Sequence, residues 1–438
     1  MPKGLRRLDL QFSEDHLTHF GGLVLMQRFC SQLGLRRRLQ RQVQITQRSS
    51  GYTPADLILA LLFVIIAGLR RINKTEILQY NGTFLSLLGL ERFPDQSTLR
   101  RFLKRLSPPS IRQIVRLHDQ LRQRLFPLPR SRTSLIFDLD SVVVTVYGRQ
   151  QGARVGYNPK KHGRRSYHPL LCFEAHCQEF WHGSLRSGNA AVSTGVMAFV
   201  QRCLTKVPKK LGRSRIRFRA DAGFFRYRLI AYLEAVGCYY AIVAKCYPII
   251  KSRAQQCRFR KIHSGWEAGV FRYQPQTWRK PHRFVVVRRP IPPDPDEARQ
   301  LTLFKDRKYV YHVLVTNLKS QPWRVWRFYD KRATIEKDIR ELLYDYPLAK
   351  IPTEQWTSNV AFFQILLLAF NLVHWFKRLC LPPEYLYATL DSVRTDFFVL
   401  PAKLINKGNR NVLVLPRDYH YQHQFKAALN KVARLKIV

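Results

Sequence analysis

The stretch Phe137-Asp138-Leu139-Asp140-Ser141-Val142 places two carboxylates two residues apart inside an apolar run. Side chains alternate across a strand, so residues at i and i+2 share a face, and Asp138 and Asp140 project together from whatever sheet this segment joins. Around it, Ser134 to Gly148 is rich in Val, Ile and Leu with period-two alternation. Tyr167 to His176 and Glu179 to Arg186 read as two further strands. Asn189 then caps a helix expected to reach Lys206. A strand follows over Arg215 to Asp221, a helix over Phe224 to Val236 and a strand over Cys238 to Cys246. The segment 247–327 holds the strand-like runs Trp266 to Tyr273, His282 to Arg289 and Tyr309 to Asn317, with Pro290 to Pro295 as a surface loop. A helix is expected again over Lys331 to Tyr346.

With 247–327 set aside, the order is β-β-β-α-β-α-β-α, which implies a mixed sheet covered by helices and is the order of the ribonuclease H fold. Upstream, residues 1–130 read as helical, with apolar residues at helical spacing over His16 to Leu39, Ala55 to Ile72, Glu76 to Leu88 and Ser97 to Leu125. Thr53-Pro54 looks like an N-cap followed by a first-turn proline. Pro94 to Phe102 reads as a turn into a helix that presents Arg100 and Arg101, as a helix-turn-helix recognition helix would offer side chains to a major groove. The competing reading is a solvated basic face on a core helix.

The 438 residues carry 75 Lys plus Arg against 29 Asp plus Glu, a formal charge of +46, and 46% are hydrophobic. That is too apolar for a disordered basic tail, and a folded chain so basic needs a polyanion, for which nucleic acid is the default. No membrane partner is expected. The basic residues are dispersed, the apolar run Leu57 to Leu69 is too short to span a bilayer, and Val360 to Phe376 is interrupted by Gln364, Asn371 and His374. Met1 to Asp15 has no apolar signal region, and the eight cysteines form no CxxC pair, so a reduced, cytoplasmic protein is expected. Cys172 and Cys177 lie near His168, His176 and His182, but at a spacing that fits no standard zinc site.

Because acids are scarce, their positions carry information. Asp221 ends the strand Ile216 to Ala220, and Glu336 falls on the last helix. At 100° per residue, Ile335, Ile339, Leu342 and Tyr346 form the apolar stripe of that helix, with Tyr329, Arg332 and Glu336 in a stripe beside it. Three converging carboxylates suit two hard divalent cations, Mg²⁺ or Mn²⁺, which activate a water or a 3′-hydroxyl against a phosphodiester. Taken singly, each acid is more at home as a salt-bridge partner for one of the many cations; it is the three together that point to a metal site.

These residues resemble bacterial insertion-sequence transposases of the DDE class with a Y-R-E-K signature, and most closely the insertion-sequence family numbered thirteen-eighty. The matching segments are Asp138 to Ser141, Tyr147 to Ala153, Gly156 to Lys161, Ser166 to Leu171, Leu185 to Asn189 and Arg219 to Phe224, closed by Tyr329-x2-Arg332-x3-Glu336. The resemblance implies an RNase H-like core with the triad Asp140, Asp221 and Glu336. Asp140 is preferred because the family's first acid is followed by a small hydroxyl residue, here Ser141, and Asp138 is the runner-up. It further implies Tyr329 and Arg332 as phosphate contacts and 247–327 as a β-strand insertion domain. The basic stretch Arg154 to Arg165, with Lys160 and Lys161, reads as a phosphate clamp or equally as a plain solvated loop. In family members that pass through a DNA hairpin a flipped base stacks on an aromatic, and Trp266, Trp278, Trp323 and Trp326 lie in or near this segment. The signature's final Lys is Leu343 here, with Lys337 and Arg340 nearby.

The expected organisation is a helical DNA-binding region over 1–130, a core over 131–246 and 328–380 interrupted by the insertion at 247–327, and a C-terminal region over 381–438 supporting a homodimer. The expected activity is cleavage and transfer of double-stranded DNA at terminal inverted repeats and target. The alternatives are a nuclease or resolvase on the same fold, or an inactive DNA-binding relic.

Overall fold

The computed structural model describes residues 17–45, 51–126, 134–209, 211–262, 265–291, 304–305, 308–408 and 410–435. The proline loop expected at Pro290 lies outside these residues from 292 onward. Up to Leu125 the described chain is helical apart from a short strand at Leu17–Thr18: α1 (Val24–Gln32), α2 (Leu35–Gln42), α3 (Pro54–Ala67), α4 (Gly82–Leu88), α5 (Gln96–Arg105) and α6 (Pro108–Leu125). Helix α3 starts where Thr53-Pro54 predicts, on a capping box. The Asp56 amide donates to Thr53 Oγ1 at 3.2 Å and the Thr53 amide donates to Asp56 Oδ2 at 2.9 Å. It ends before the expected Ile72, because Gly68 adopts φ +91°. The run expected as one helix over Ser97 to Leu125 is two. Pro108 and Pro109 have no N–H for the ladder of α5 and start α6 instead.

Beyond Ser134 the chain builds a ten-stranded mixed sheet. Its first five main strands are β1 (Leu135–Ser141), β2 (Leu170–Glu174), β3 (Glu179–Ser184), β4 (Ile216–Ala220) and β5 (Tyr239–Val243). In space they run β3-β2-β1-β4-β5, with β4 parallel to β1 and β5 and the other two pairs antiparallel. The runs of 247–327 continue the same sheet as β6 (Arg260–Lys261), β7 (Glu267–Tyr273), β8 (His282–Pro290) and β9 (Tyr309–Thr316), with β9 antiparallel to β5 through Leu314↔Val243. Helices α7 (Val196–Thr205), α8 (Tyr227–Ala235) and α9 (Pro248–Gln255) precede this extension, and α10 (Pro322–Asp330) and α11 (Ala333–Tyr344) follow it. Residues 189–195 form a loop where the sequence predicts the start of a helix; α7 begins only after Gly195, at φ +73°.

The period-two reading of β1 decides how the sheet is covered. Phe137 and Leu139 join Phe218, Ala220, Phe199, Val200 and Leu229 in a core on the α7–α8 side. Asp138, Asp140 and Arg219 take the opposite face, where Ala241, Val243, Leu314 and Val325 form a second, smaller core with Tyr329 beside it.

The chain closes with α12 (Trp356–Cys380), the hairpin strands β10 (Ala402–Lys407) and β11 (Arg410–Val414), and α13 (Gln422–Arg434). Helix α12 has the length and apolarity to cross a bilayer, but 94% of its most apolar window is buried within the protein, as suits a core helix. Two compact units result. One contains the described residues up to Arg124 together with 345–353 and those from Thr357 onward, joined by pairing of Leu17–Thr18 with Lys403 and Ala402. The other contains Leu125–Tyr344 and Glu354–Trp356, hence the whole sheet.

Candidate functional site

Asp138 and Asp140 share a face of β1, yet their surroundings differ completely. Asp138 stands opposite Arg219 on β4 and receives its guanidinium as a fork, Nε to Oδ1 at 2.6 Å and Nη2 to Oδ2 at 2.5 Å, with both side chains at most 2% exposed. Arg219 Nη1 also donates to the Phe328 carbonyl at 2.7 Å, tying the fork to α10. Asp140 lies one step nearer the strand end with its side chain 15% exposed, and accepts from the Ser141 amide at 2.7 Å. Its ion partner is Arg332, in the turn between α10 and α11, at 2.8 Å.

Arg332 is the buried centre of the site. It donates to the Leu139 carbonyl at 3.1 Å, and among the described residues its Nε has no partner. Burial works against its charge, but Asp140, Tyr329 and Asp221 more than offset that and raise its pKa. Asp221 follows β4 and accepts from the Gly223 amide at 2.9 Å, capping the short turn Ala222–Phe224. Burial, then the charge of Asp140, raises the Asp221 pKa, as expected of two carboxylates held close together. Burial pushes the Tyr329 hydroxyl up to about 12, with Arg332 opposing the shift. Asp140, Asp221, Tyr329 and Arg332 thus form one electrostatically coupled group. Glu336 is exposed in the first turn of α11, one helical turn beyond Arg332, and among the described residues it makes no ion pair or hydrogen bond with either aspartate.

Several supporting residues escape a reading of sequence alone. His168, just before β2, places Nδ1 2.9 Å from the Ala190 carbonyl and Nε2 3.0 Å from Ser141 Oγ. A carbonyl only accepts, so Nδ1 bears the proton; burial lowers the pKa and keeps the ring neutral, so Nε2 accepts from the Ser141 hydroxyl. The residue beside Asp140 is thereby tied to the 189–195 loop. Arg186 secures that loop, donating to the carbonyls of His168, Ala191, Val192 and Thr194 at 2.8–3.2 Å. Two motif glycines serve a close backbone approach. A Cβ on Gly156 would fall 2.1 Å from the Gly188 carbonyl oxygen, and one on Gly188 would fall 2.2 Å from that of Ser166. A histidine or arginine held by backbone carbonyls has no local sequence signature.

Lys160 and Lys161 are exposed in the loop between Arg154–Val155 and Arg165–Tyr167. The Lys161 amide donates to Asn158 Oδ1 at 3.0 Å, and its ammonium donates to the Tyr147 hydroxyl. In the other unit, Arg100 and Arg101 are exposed on α5, whose Leu99, Phe102 and Leu103 are buried. Asp95 caps this helix at Thr98.

Fold and site define an α/β protein with an acidic centre in a very basic chain. Residues 2–437 match the family described as Transposase DDE domain group 1, and the chain belongs to this family of DDE transposases. Among solved structures it is similar to a piggyBac transposase synaptic complex with hairpin DNA, determined by cryo-EM. The identity is 12% over 96% of this chain and 82% of that one, with a TM-score of 0.46. No curated protein matches.

Proposed function

We propose that the chain binds the terminal inverted repeats of its own insertion sequence, as a bacterial element of the thirteen-eighty family, and cleaves and joins DNA strands with Asp140, Asp221 and Glu336. The observation that carries this is the grouping of Asp140 and Asp221 around Arg332, in a family of DDE transposases. The sheet order β3-β2-β1-β4-β5 agrees with an RNase H-like core. The donor set fits divalent cations: two hard oxygen donors, one with its pKa raised by burial and then by the charge of the other, with an exposed glutamate one turn from their arginine. Mg²⁺ or Mn²⁺ held there by Asp140, Asp221 and Glu336 would supply the charge that activates an attacking oxygen and stabilises the departing one.

The chain's own groups do the rest. Arg332 fixes the Asp140 carboxylate and would add its positive charge beside a scissile phosphate. Tyr329, kept protonated, offers a hydroxyl to the same phosphate. The His168–Ser141 bond holds the end of β1 in place. Lys160 and Lys161 grip the flanking backbone, and α5 brings Arg100 and Arg101 to the element end. Two ends must meet, so a homodimer on DNA is expected.

A strand-transfer assay on duplex DNA with Mg²⁺ tests this reading. Joined product supports a transposase; cleavage without joining supports a nuclease, and binding alone an inactive relic. Asp221→Asn and Glu336→Gln should abolish cleavage and leave binding equal or tighter, and wild-type cleavage in either variant would remove that residue from the triad.

A further inference from the structure

The hairpin β10–β11 extends beyond the sheet that anchors it. Leu17–Thr18 pairs only with Lys403 and Ala402, so from Leu404 outward the ribbon is two strands alone. From Lys403 to Lys407 it spans about 13 Å at the usual strand rise. Its last two cross-strand pairs are Asn406↔Asn411 and Lys407↔Arg410. All four side chains are exposed, and among the described residues none has a hydrogen-bonding or ionic partner on another side chain. Like charges directly opposite one another weaken a ribbon, and a ribbon of two strands is marginal to begin with. No acid occurs from Ala402 to Arg417 to relieve the pair.

We propose that this hairpin is a second DNA-reading element, entering the major groove of duplex DNA. The inference rests on the DNA-binding reading above and adds a contact which that reading does not contain. A two-stranded ribbon fits the major groove, about 12 Å wide. Alternation separates the roles. Asn406 and Asn411 share one face with Leu404 and Leu413, and an asparagine amide carries the donor and acceptor that match the adenine edge. Lys407 and Arg410 share the other face with Val412 and reach phosphates, which relieve their repulsion. A second copy of the chain paired on β11 would bring more like charge to the tip, so charge favours DNA as the occupant.

The test uses the full-length protein and a fluorescein-labelled 30-base-pair duplex of mixed sequence, with anisotropy followed across salt. For the double variant K407A/R410A, the slope of log affinity against log salt should become shallower by about 1.8, the contribution of two phosphates. N406A/N411A should keep the wild-type slope but lose about tenfold discrimination at one or two A·T positions, read by selection from a randomised duplex pool. These exposed positions should leave the circular dichroism spectrum unchanged. Wild-type slope and selection in both variants overturn the proposal while DNA binding by the protein stands. Loss of a dimer in sedimentation, with DNA binding unaltered, also overturns it and assigns the hairpin to a second copy. A wild-type protein that fails to bind the duplex overturns the underlying reading as well.

Discussion

Asp138 and Asp140 are the same residue type on the same strand face, and what separates them is one arginine 81 positions away. Register places Arg219 beside Asp138, so that carboxylate is spent on a buried fork, while Asp140 remains open toward Arg332. The two substitutions should therefore part company. Asp138→Asn leaves Arg219 charged, buried and half-partnered, and should cost about 3–5 kcal/mol of stability. Asp140→Asn takes a negative charge from Arg332 but also removes the repulsion with Asp221, which remains to balance the arginine. It should therefore cost less stability than Asp138→Asn while losing cleavage. Denaturant midpoints measured side by side check this; equal stability of all three proteins would show that the Asp138–Arg219 pair is not structural. Both acids, and their common face, were legible from period two alone. Their division of labour was not, because it depends on a parallel strand pairing that no local pattern encodes. The same holds for His168, whose role follows from a carbonyl in a distant loop.

At the scale of elements, hydrophobic period located the main strands between Ser134 and Asn317 but missed the hairpin β10–β11 and several two-residue strands. Prolines and glycines account for differences at helix boundaries. Pro108-Pro109 splits a helix, and α7 starts late behind Gly195. What the period could not tell is that the strands of 247–327 continue one sheet, since partner choice is a tertiary property. That extension has a measurable consequence at His312 on β9. Its ring lies 6.0 Å from that of Trp266, just before β7, and 4.6 Å from that of Trp326 on α10, and among the described residues its Nε2 has no partner. Burial, then Arg289, lowers its pKa to about 4. An unfolded histidine titrates near 6.5, so as pH falls the unfolded chain takes up the proton first. The contribution of this residue is complete above about pH 6.5 and is lost progressively toward pH 4. His312→Phe keeps a ring between the tryptophans and removes the titration, so its melting temperature should fall less than that of the wild type between pH 7 and 4.5. Parallel falls in the two proteins would refute the assignment.

The whole molecule is a strong cation with few acids, and its +46 and its carboxylates should be separable in one experiment. Binding driven by charge releases counterions, so affinity should fall steeply with salt, by about 0.9 log units per log unit for each phosphate neutralised. This property belongs to the surface and is indifferent to Asp140 and Asp221. Cleavage, on the proposed reading, needs divalent cations at those acids, whose repulsion Arg332 partly relieves on the protein side. A chelator should therefore stop strand cleavage completely while leaving the slope of affinity against salt unchanged. Re-addition of Mg²⁺ or Mn²⁺ should restore cleavage, and Ca²⁺, with its looser coordination, should restore it poorly if at all. The two readouts fail in different ways. A flat salt response would deny the basic surface an extended DNA footprint, whatever the acids do. Cleavage that persists in chelator would take the reaction away from the carboxylates and leave the charge with its binding role intact.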